Sequence, residues 1–433
     1  MRVTIFTIGT EGDVRPLVAL GVRLAREGHV VTLATDKSCA DLVTANGLNY
    51  RPLAGDFRSW MLEDPNLHKR GLSAPAMARA FRERLRILAE DWPKQGMAAA
   101  ADADLLIGNG MVFLLADSIA EKLGLPVVET QLVPTLPSQN PPLMPMPHWM
   151  YRLPGAANRL LGRLSRRLVW KVMAPAYQDV VRPALGLAPY PEPGPLSGIP
   201  SRHLRLFGYS PILVPPDPRW PETVQVTGPW VLRAPSEYKP SLELTTFLLS
   251  GPKPIYVGFG SMTNIDANAL ARTVTRVASK TGRRFVLATG WGGLESEEIA
   301  ECPLIHVVQH VPHDWLMPLM AAAIHHGGAG TTIAAARAGI PSIVVPVFGD
   351  QPFWASRLQR LGAAPPAIPR SQLTEARLQR ALSAVEDPAM RRAAQALGER
   401  LKLEAGVETA ISTLEAWGLI QSNQTSQALR TRP

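Results

Sequence analysis

Cysteine is almost absent from this chain: Cys39 and Cys302 stand in opposite halves of 433 residues. That excludes a disulfide framework and a cysteine-based zinc site, and it fits a reducing compartment. Long apolar runs are missing too. No segment approaches the roughly 20 apolar residues that a membrane span needs. The opening MRVTIFTIG turns polar too soon for a secretory leader. The expectation is a cytoplasmic protein that does not span a bilayer. Acidic residues are outnumbered, 36 against 45 lysines and arginines, for a formal net charge of +9. Such an excess suits nucleic acid, anionic lipid or a nucleoside diphosphate. The chain lacks a zinc finger, an RNA-binding aromatic motif and a basic zipper, so nucleic acid is not expected. Metal-ligand spacing is lacking as well. His310, His313, His325 and His326 are not at helical spacing and have no acidic partner. Asp102-Ala-Asp104, the only Asp-x-Asp, precedes a strand, where solvated carboxylates are common. No metal and no cofactor is expected.

What remains is ordinary for soluble globular protein: 46% hydrophobic and 19% charged residues, in a chain long enough for two full cores. Over the first 130 or so residues, strands and helices alternate. Val3–Ile8 and His29–Thr35 read as strands with a helix Pro16–Glu27 between them. Leu105–Gly108 and Val127–Gln131 follow, with a helix near Ala116–Leu123. Residues 134–148, Pro189–Pro200 and Pro211–Pro221 are Pro-rich and read as loops with short helices. Alternation restarts with Ile255–Phe259, Phe285–Ala288, Leu304–Val308, Ala321–Ile324 and Ser342–Val345. The pattern predicts two Rossmann-like α/β domains, over residues 1–228 and 240–406, joined by a linker over 229–239. A last helix over 407–421 packs back on the first domain, and 422–433 is a polar tail. The carboxyl ends of the two sheets would face a cleft, where such sheets bind ligands.

The most informative stretch is Ala323–Gln351, AIHHGGAGTTIAAARAGIPSIVVPVFGDQ. A strand runs into a turn of His325, His326, Gly327, Gly328, Ala329 and Gly330, and a helix is expected from Thr331 and Thr332. Glycines in a strand-to-helix turn let backbone amides approach a ligand, and the helix start adds partial positive charge. Phosphate or diphosphate suits that turn. Asp350 beside Gln351, one strand later, suits a ligand rich in hydroxyls. Diphosphate with polyol describes a nucleotide sugar.

Other segments carry two readings each. In Gly9–Arg15 (GTEGDVR), Asp13 is either a helix cap or a general base at the carboxyl edge of the first strand. Gly258–Thr263 (GFGSMT) lacks the third glycine of a dinucleotide fingerprint, so a nicotinamide site is not expected. Its Ser261 hydroxyl and the amides of Ser261 and Met262 suit a phosphate. Trp291 in TGWGGL is either packing or pocket wall. Arg152, Arg159, Arg163, Arg166, Arg167 and Lys171 alternate with leucines. A solvated basic helix face is the plainer account, and contact with an anionic membrane surface is the sharper one.

Taken together, HHGGAGTT, PVFGDQPFW, QHVPHDWL, GWGGL and GTEGDVRPLVALG resemble the nucleotide-diphospho-sugar glycosyltransferases of family 1 type. The likeness is to the branch of sterol glucosyltransferases and antibiotic-aglycone transferases, inverting enzymes of the two-domain GT-B fold. The motifs occur in the family's order at both ends of the chain, while about 55–220 matches none. The resemblance implies an N-terminal acceptor domain and a C-terminal nucleotide-sugar domain. It makes Asp13 the base, Ser261 and Met262 phosphate contacts, and Trp291 part of the nucleotide site. His310 and Val311 would meet the base, and His325 with Gly327, Gly328, Ala329, Gly330 and Thr331 would hold the diphosphate. Asp350 and Gln351 would bind sugar hydroxyls. Glu11 departs from the pattern by placing a second carboxylate near Asp13, which would raise the base's pKa if close. Met144, Met146, Trp149 and Met150 are large, adaptable and apolar, and suit a hydrophobic acceptor.

The expected activity is transfer of a hexose from UDP-glucose to a hydroxyl of a sterol-like, polyketide or lipid acceptor, without metal. Rivals are a dTDP-deoxysugar or rhamnolipid-type transferase, a nucleotide-sugar epimerase, and a catalytically silent nucleotide-sugar-binding protein. Peripheral contact with the inner face of the membrane is the expectation attached to the basic helix.

Overall fold

The structure, a computed structural model, describes residues 1–55, 74–144, 146–197, 203–233, 238–259, 267–289, 302–309, 311–347 and 349–421. It divides into two compact units. The first comprises Met1–Pro142, Leu153–Leu232 and the chain from Ala405 onward, and the second Leu143–Arg152 and Arg233–Glu404.

The first unit is built on β1 (Arg2–Phe6), α1 (Glu11–Arg26), β2 (Val30–Thr35), β3 (Asn49–Pro52), α2 (Ala74–Ala89), β4 (Leu105–Asn109), α3 (Phe113–Leu123), β5 (Val127–Gln131), α4 (Gly155–Ala176), β6 (Arg205–Phe207) and β7 (Val224–Val226). Its seven strands are parallel, in the order β3-β2-β1-β4-β5-β6-β7. The chain runs outward from β1 to β3 and then returns to β4 on the other side of β1. Ligands bind such sheets at the carboxyl ends beside that reversal. Successive strand residues face opposite ways. Val3, Ile5, Leu33, Leu105 and Ile107 therefore pack on Leu17 and Leu20 of α1 and on Ile411 and Leu414 of the closing helix Gly406–Ala416. Phe6 and Leu106 face Trp92, Leu115 and Tyr177 on the opposite side.

Two departures from the expected elements have local causes. The first helix begins at Glu11 rather than Pro16, because Thr10 and Asp13 close its first turn. The central region contributes β6 and β7, and β3 was also unforeseen; runs of three or four residues are too short to display a period. The basic stretch, read as an amphipathic helix, forms one over Gly155–Ala176, shifted a few residues toward the C-terminus.

The second unit holds β8 (Ile255–Gly258), α5 (Ala267–Thr281), β9 (Phe285–Ala288), β10 (Ile305–Val308), β11 (Ala322–His325), α6 (Ala329–Ala338), β12 (Ser342–Val344), α7 (Gln351–Arg360), α8 (Glu375–Val385) and α9 (Pro388–Lys402). Its sheet is parallel, in the order β10-β9-β8-β11-β12, so the reversal lies between β8 and β11. Val257, Leu287, Ile324 and Ile343 face Leu378 and Leu382 of α8. Tyr256, Val286 and Ala323 face Leu316, Met317 and Ala335. Among the described residues, no helix is long and apolar enough to cross a membrane.

Candidate active site

The turn after β11 is tighter than its sequence suggests. Gly328 is the N-cap of α6, and the helix begins at Ala329, two residues before Thr331. Gly327 has φ +93°, where a side chain is strained. A Cβ there would meet Val344 Cγ1 at 2.8 Å and the Gln351 carbonyl oxygen at 3.0 Å. Glycine therefore lets the turn lie against the next βα connection. At Gly330 a Cβ would meet nothing within 4 Å, which leaves the helix start open to close approach. Exposed amides and the helix dipole make that opening attractive to an anion.

The two histidines divide the work. His325 ends β11 with no exposed surface, and its Nδ1 accepts a hydrogen bond from Gly327 N–H at 3.1 Å. Its proton is then on Nε2, which has no partner among the described residues. Burial, followed by the neighbouring His326 and His313, pushes its pKa down to about 3, so the ring is neutral near pH 7. His326 keeps some exposed surface, and its Nε2 lies where a Cβ on Gly328 would be. Burial lowers its pKa to about 4, partly offset by a hydrogen bond with the Gly258 backbone. His325 Nε2, His326 Nδ1 and Thr332 Oγ1 are buried polar atoms without partners among the described residues. Burying unmade hydrogen bonds costs stability, and functional sites are where such costs are retained. His325 braces the turn through Gly327 and keeps an Nε2–H unpaired among the described residues, while the one N–H of neutral His326 is committed to the Gly258 backbone.

Asp350 and Gln351 sit where α7 begins. Asp350 is the N-cap residue of α7, and its Oδ2 accepts from Trp354 Nε1 at 2.7 Å. Burial raises its pKa, and the Trp354 bond opposes the rise. Gln351 is buried and its Oε1 accepts from Val347 N–H at 2.7 Å, which ties the loop down. Trp354 was not singled out in the sequence, although its i,i+4 spacing from Asp350 on a helix was available as a signal.

In the first unit, Asp13 is the third residue of α1 and exposed. Its Oδ2 accepts from Thr10 N–H at 2.8 Å and from the Thr10 hydroxyl at 3.0 Å. Gly9 has φ +138°, and a Cβ there would strike the Asp13 carboxylate. The carboxylate is thus fixed over the turn that leaves β1, beside the reversal of its sheet. Thr10, which the sequence reading passed over, is the residue that fixes it, and Thr-x-x-Asp is a capping-box spacing. Glu11 pairs with Arg15 at 3.3 Å.

The remaining candidates are scattered. Trp149 is 65% exposed, whereas Met144, Met146 and Met150 are partly buried. All four lie in the Leu143–Arg152 segment that groups with the second unit, where the Tyr151 hydroxyl donates to the Met144 carbonyl at 3.2 Å. Val311 packs against the Leu316 and Met317 cluster. Ser261, Met262, Trp291 and His310 lie outside the described residues. Asp102 pairs with the Arg2 side chain at 2.6 Å and Asp104 accepts from Arg2 N–H at 2.7 Å, so both carboxylates tie down the start of β1.

Residues 3–139 match the Glycosyltransferase family 28 N-terminal domain, and residues 294–408 match the Erythromycin biosynthesis protein CIII-like C-terminal domain. The chain is 32% identical to O-mycaminosyltylonolide 6-deoxyallosyltransferase of Streptomyces fradiae, over 96% of this chain and 97% of that one. The chain belongs to the GT-B glycosyltransferases. It is also 31% identical to the sterol 3-beta-glucosyltransferase UGT80A2 of Arabidopsis thaliana over 95% of its length, and 33% identical to the sterol 3-beta-glucosyltransferase of Aspergillus fumigatus over 96%. It spans 64% of the plant protein and 30% of the fungal one. Among solved structures, the kitacinnamycin glycosyltransferase shares its fold, with a TM-score of 0.69 at 22% identity over 96% of this chain and 98% of that one. The glycine turn and the Asp13 turn both lie in matched regions, and all of α4 lies outside them.

Proposed function

We propose that this chain is an inverting transferase that moves glucose from UDP-glucose to a hydroxyl of an apolar, sterol-like acceptor. The observation that carries the reading is the likeness, across almost its whole length, to relatives named sterol 3-beta-glucosyltransferase. In the proposed reaction the acceptor oxygen bonds to the anomeric carbon and its proton passes to the Asp13 carboxylate. The bond between that carbon and the diphosphate breaks, and the electron pair leaves on the diphosphate. The leaving charge is met by the open amides at Gly328–Thr331, the α6 dipole and the unpaired Nε2–H of His325. Asp350 and Gln351 are assigned to the sugar hydroxyls, and Met144, Met146, Trp149 and Met150 to the acceptor. Ser261, Met262, Trp291, His310 and Val311 are assigned to the nucleotide. No metal is invoked.

A second reading, transfer of a deoxysugar from a dTDP-sugar to a natural-product aglycone, is favoured by the name of the Streptomyces fradiae relative. Purified protein incubated with a sterol and either UDP-glucose or a dTDP-deoxysugar distinguishes the two by product mass. The expected outcome is a sterol glucoside from UDP-glucose, unaffected by EDTA. Turnover only with the dTDP-sugar would establish the second reading, and nucleotide binding without turnover on any acceptor would make the protein a silent binder.

A further inference from the structure

The exposed face of α4 combines two ladders. The 22 residues of this helix include no acidic side chain. Two of its five cations turn inward and are used: Arg159 Nε pairs with Asp217 at 2.8 Å, and Arg166 Nε donates to the Leu196 carbonyl at 2.8 Å. The other three, Arg163, Arg167 and Lys171, are exposed at spacings of four and make no ion pair among the described residues. Beside them Leu160, Leu164 and Leu168, also four apart, are 56%, 45% and 55% exposed. At 3.6 residues per turn both ladders climb the same side of the helix, opposite the buried Asn158, Gly162 and Ala176. Neighbouring α2 packs along α4 and adds exposed Arg79, Arg82 and Arg86, against one acid, Glu83.

A cation ladder alone fits any polyanion. Three half-exposed leucines interleaved with it do not, because phosphodiester backbones give leucine nothing to bury against. A bilayer surface satisfies both, with anionic headgroups for the cations and the acyl boundary for the leucines. We propose that this face of α4 docks the chain on an anionic lipid surface. The proposal stands whether or not the chain transfers sugar.

Co-sedimentation of the full chain with vesicles tests it. Binding is expected to phosphatidylcholine vesicles containing about 30% phosphatidylglycerol, not to phosphatidylcholine alone, and it should fade as salt rises, since screening shortens the reach of surface charge. With each cation near such a surface worth roughly fivefold in affinity, R163E/R167E/K171E should bind about 100-fold more weakly. L160S/L164S/L168S keeps the charge and should still bind about tenfold more weakly, because burial of apolar groups adds to the attraction. Melting temperatures confirm that the variants are folded, and R163Q/R167Q/K171Q reads the same effect should the reversed-charge variant not fold. Absence of binding at low salt overturns the proposal. Wild-type binding by the leucine variant also overturns it and points to nucleic acid or an acidic protein. A dimer in light scattering that the leucine substitutions dissociate would make a second copy the occupant instead.

Discussion

In the first unit, the acid beside the sheet's reversal is held by its own neighbours. Thr10 and Asp13 are three residues apart, and their hydrogen bonds at 2.8 and 3.0 Å close inside one turn of helix. In the second unit, the equivalent turn is held from outside. Gly327 rests against Val344 and the Gln351 backbone, and His325 is sealed beneath it with an unpartnered Nε2. One turn is held locally and is exposed, the other is held by distant residues and is buried. A group that must accept a proton benefits from contact with water and a fixed carboxylate. A group of donors for a diphosphate benefits from dry surroundings, where each hydrogen bond is electrostatically stronger. The cost is carried by the second unit as depressed histidine pKa values and unmade hydrogen bonds.

The sharpest way to break this contrast is at Asp13. Asp13→Asn retains an oxygen that can accept from Thr10 N–H but no carboxylate to take a proton. Steady-state kinetics should show kcat lowered by ~10²-fold or more with nucleotide affinity unchanged. Asp13→Ala should in addition lose about 1 kcal/mol of stability as a missing cap residue. A wild-type rate for Asp13→Asn would reduce Asp13 to a cap.

Next in size is Gly327→Ala, which places a side chain at positive φ and against backbone. Urea unfolding should show a loss of about 2–3 kcal/mol, arising from strain and the clash with Val344 and Gln351. An unchanged midpoint would mean that the turn is not braced from outside.

Acid should separate the units as well. The folded pKa values of His325 and His326, about 3 and about 4, lie below the ordinary value of 6.5. As pH falls below 6.5 the unfolded chain takes up protons first, so stability present above that value is lost toward pH 4. The slope is at most about 1.4 kcal/mol per pH unit for each ring. Urea melts at steps between about pH 7 and pH 4 should show the second unit weakening, and the slope should shrink in a His325→Asn variant.

The smallest effect expected is on nucleotide affinity. His325→Ala removes the unpaired Nε2–H and should weaken nucleoside-diphosphate binding by about 0.5–1.5 kcal/mol in calorimetry. His326→Ala should act mainly on folding, through a cavity and the lost hydrogen bond to the Gly258 backbone. Equal effects of the two on binding would show that both rings touch the ligand.

Much of this molecule is written in short-range pattern. The strands β1, β2, β4, β5 and β8–β12 were legible as apolar runs bounded by polar turns, and the glycine turn and Asp350–Gln351 as motifs at strand ends. A period of two or a Gly-rich turn is a property of adjacent residues, so the sequence alone determined two parallel sheets and a glycine turn at a strand end in the second. Tertiary structure alone decided which histidine is buried, and that Arg159 and Arg166 face inward while Arg163, Arg167 and Lys171 face solvent. Those outcomes depend on partners tens of residues away, such as Asp217 for Arg159. Burial and pKa belong to the packed neighbourhood rather than to the residue, and a neighbourhood assembled from distant segments leaves no local trace.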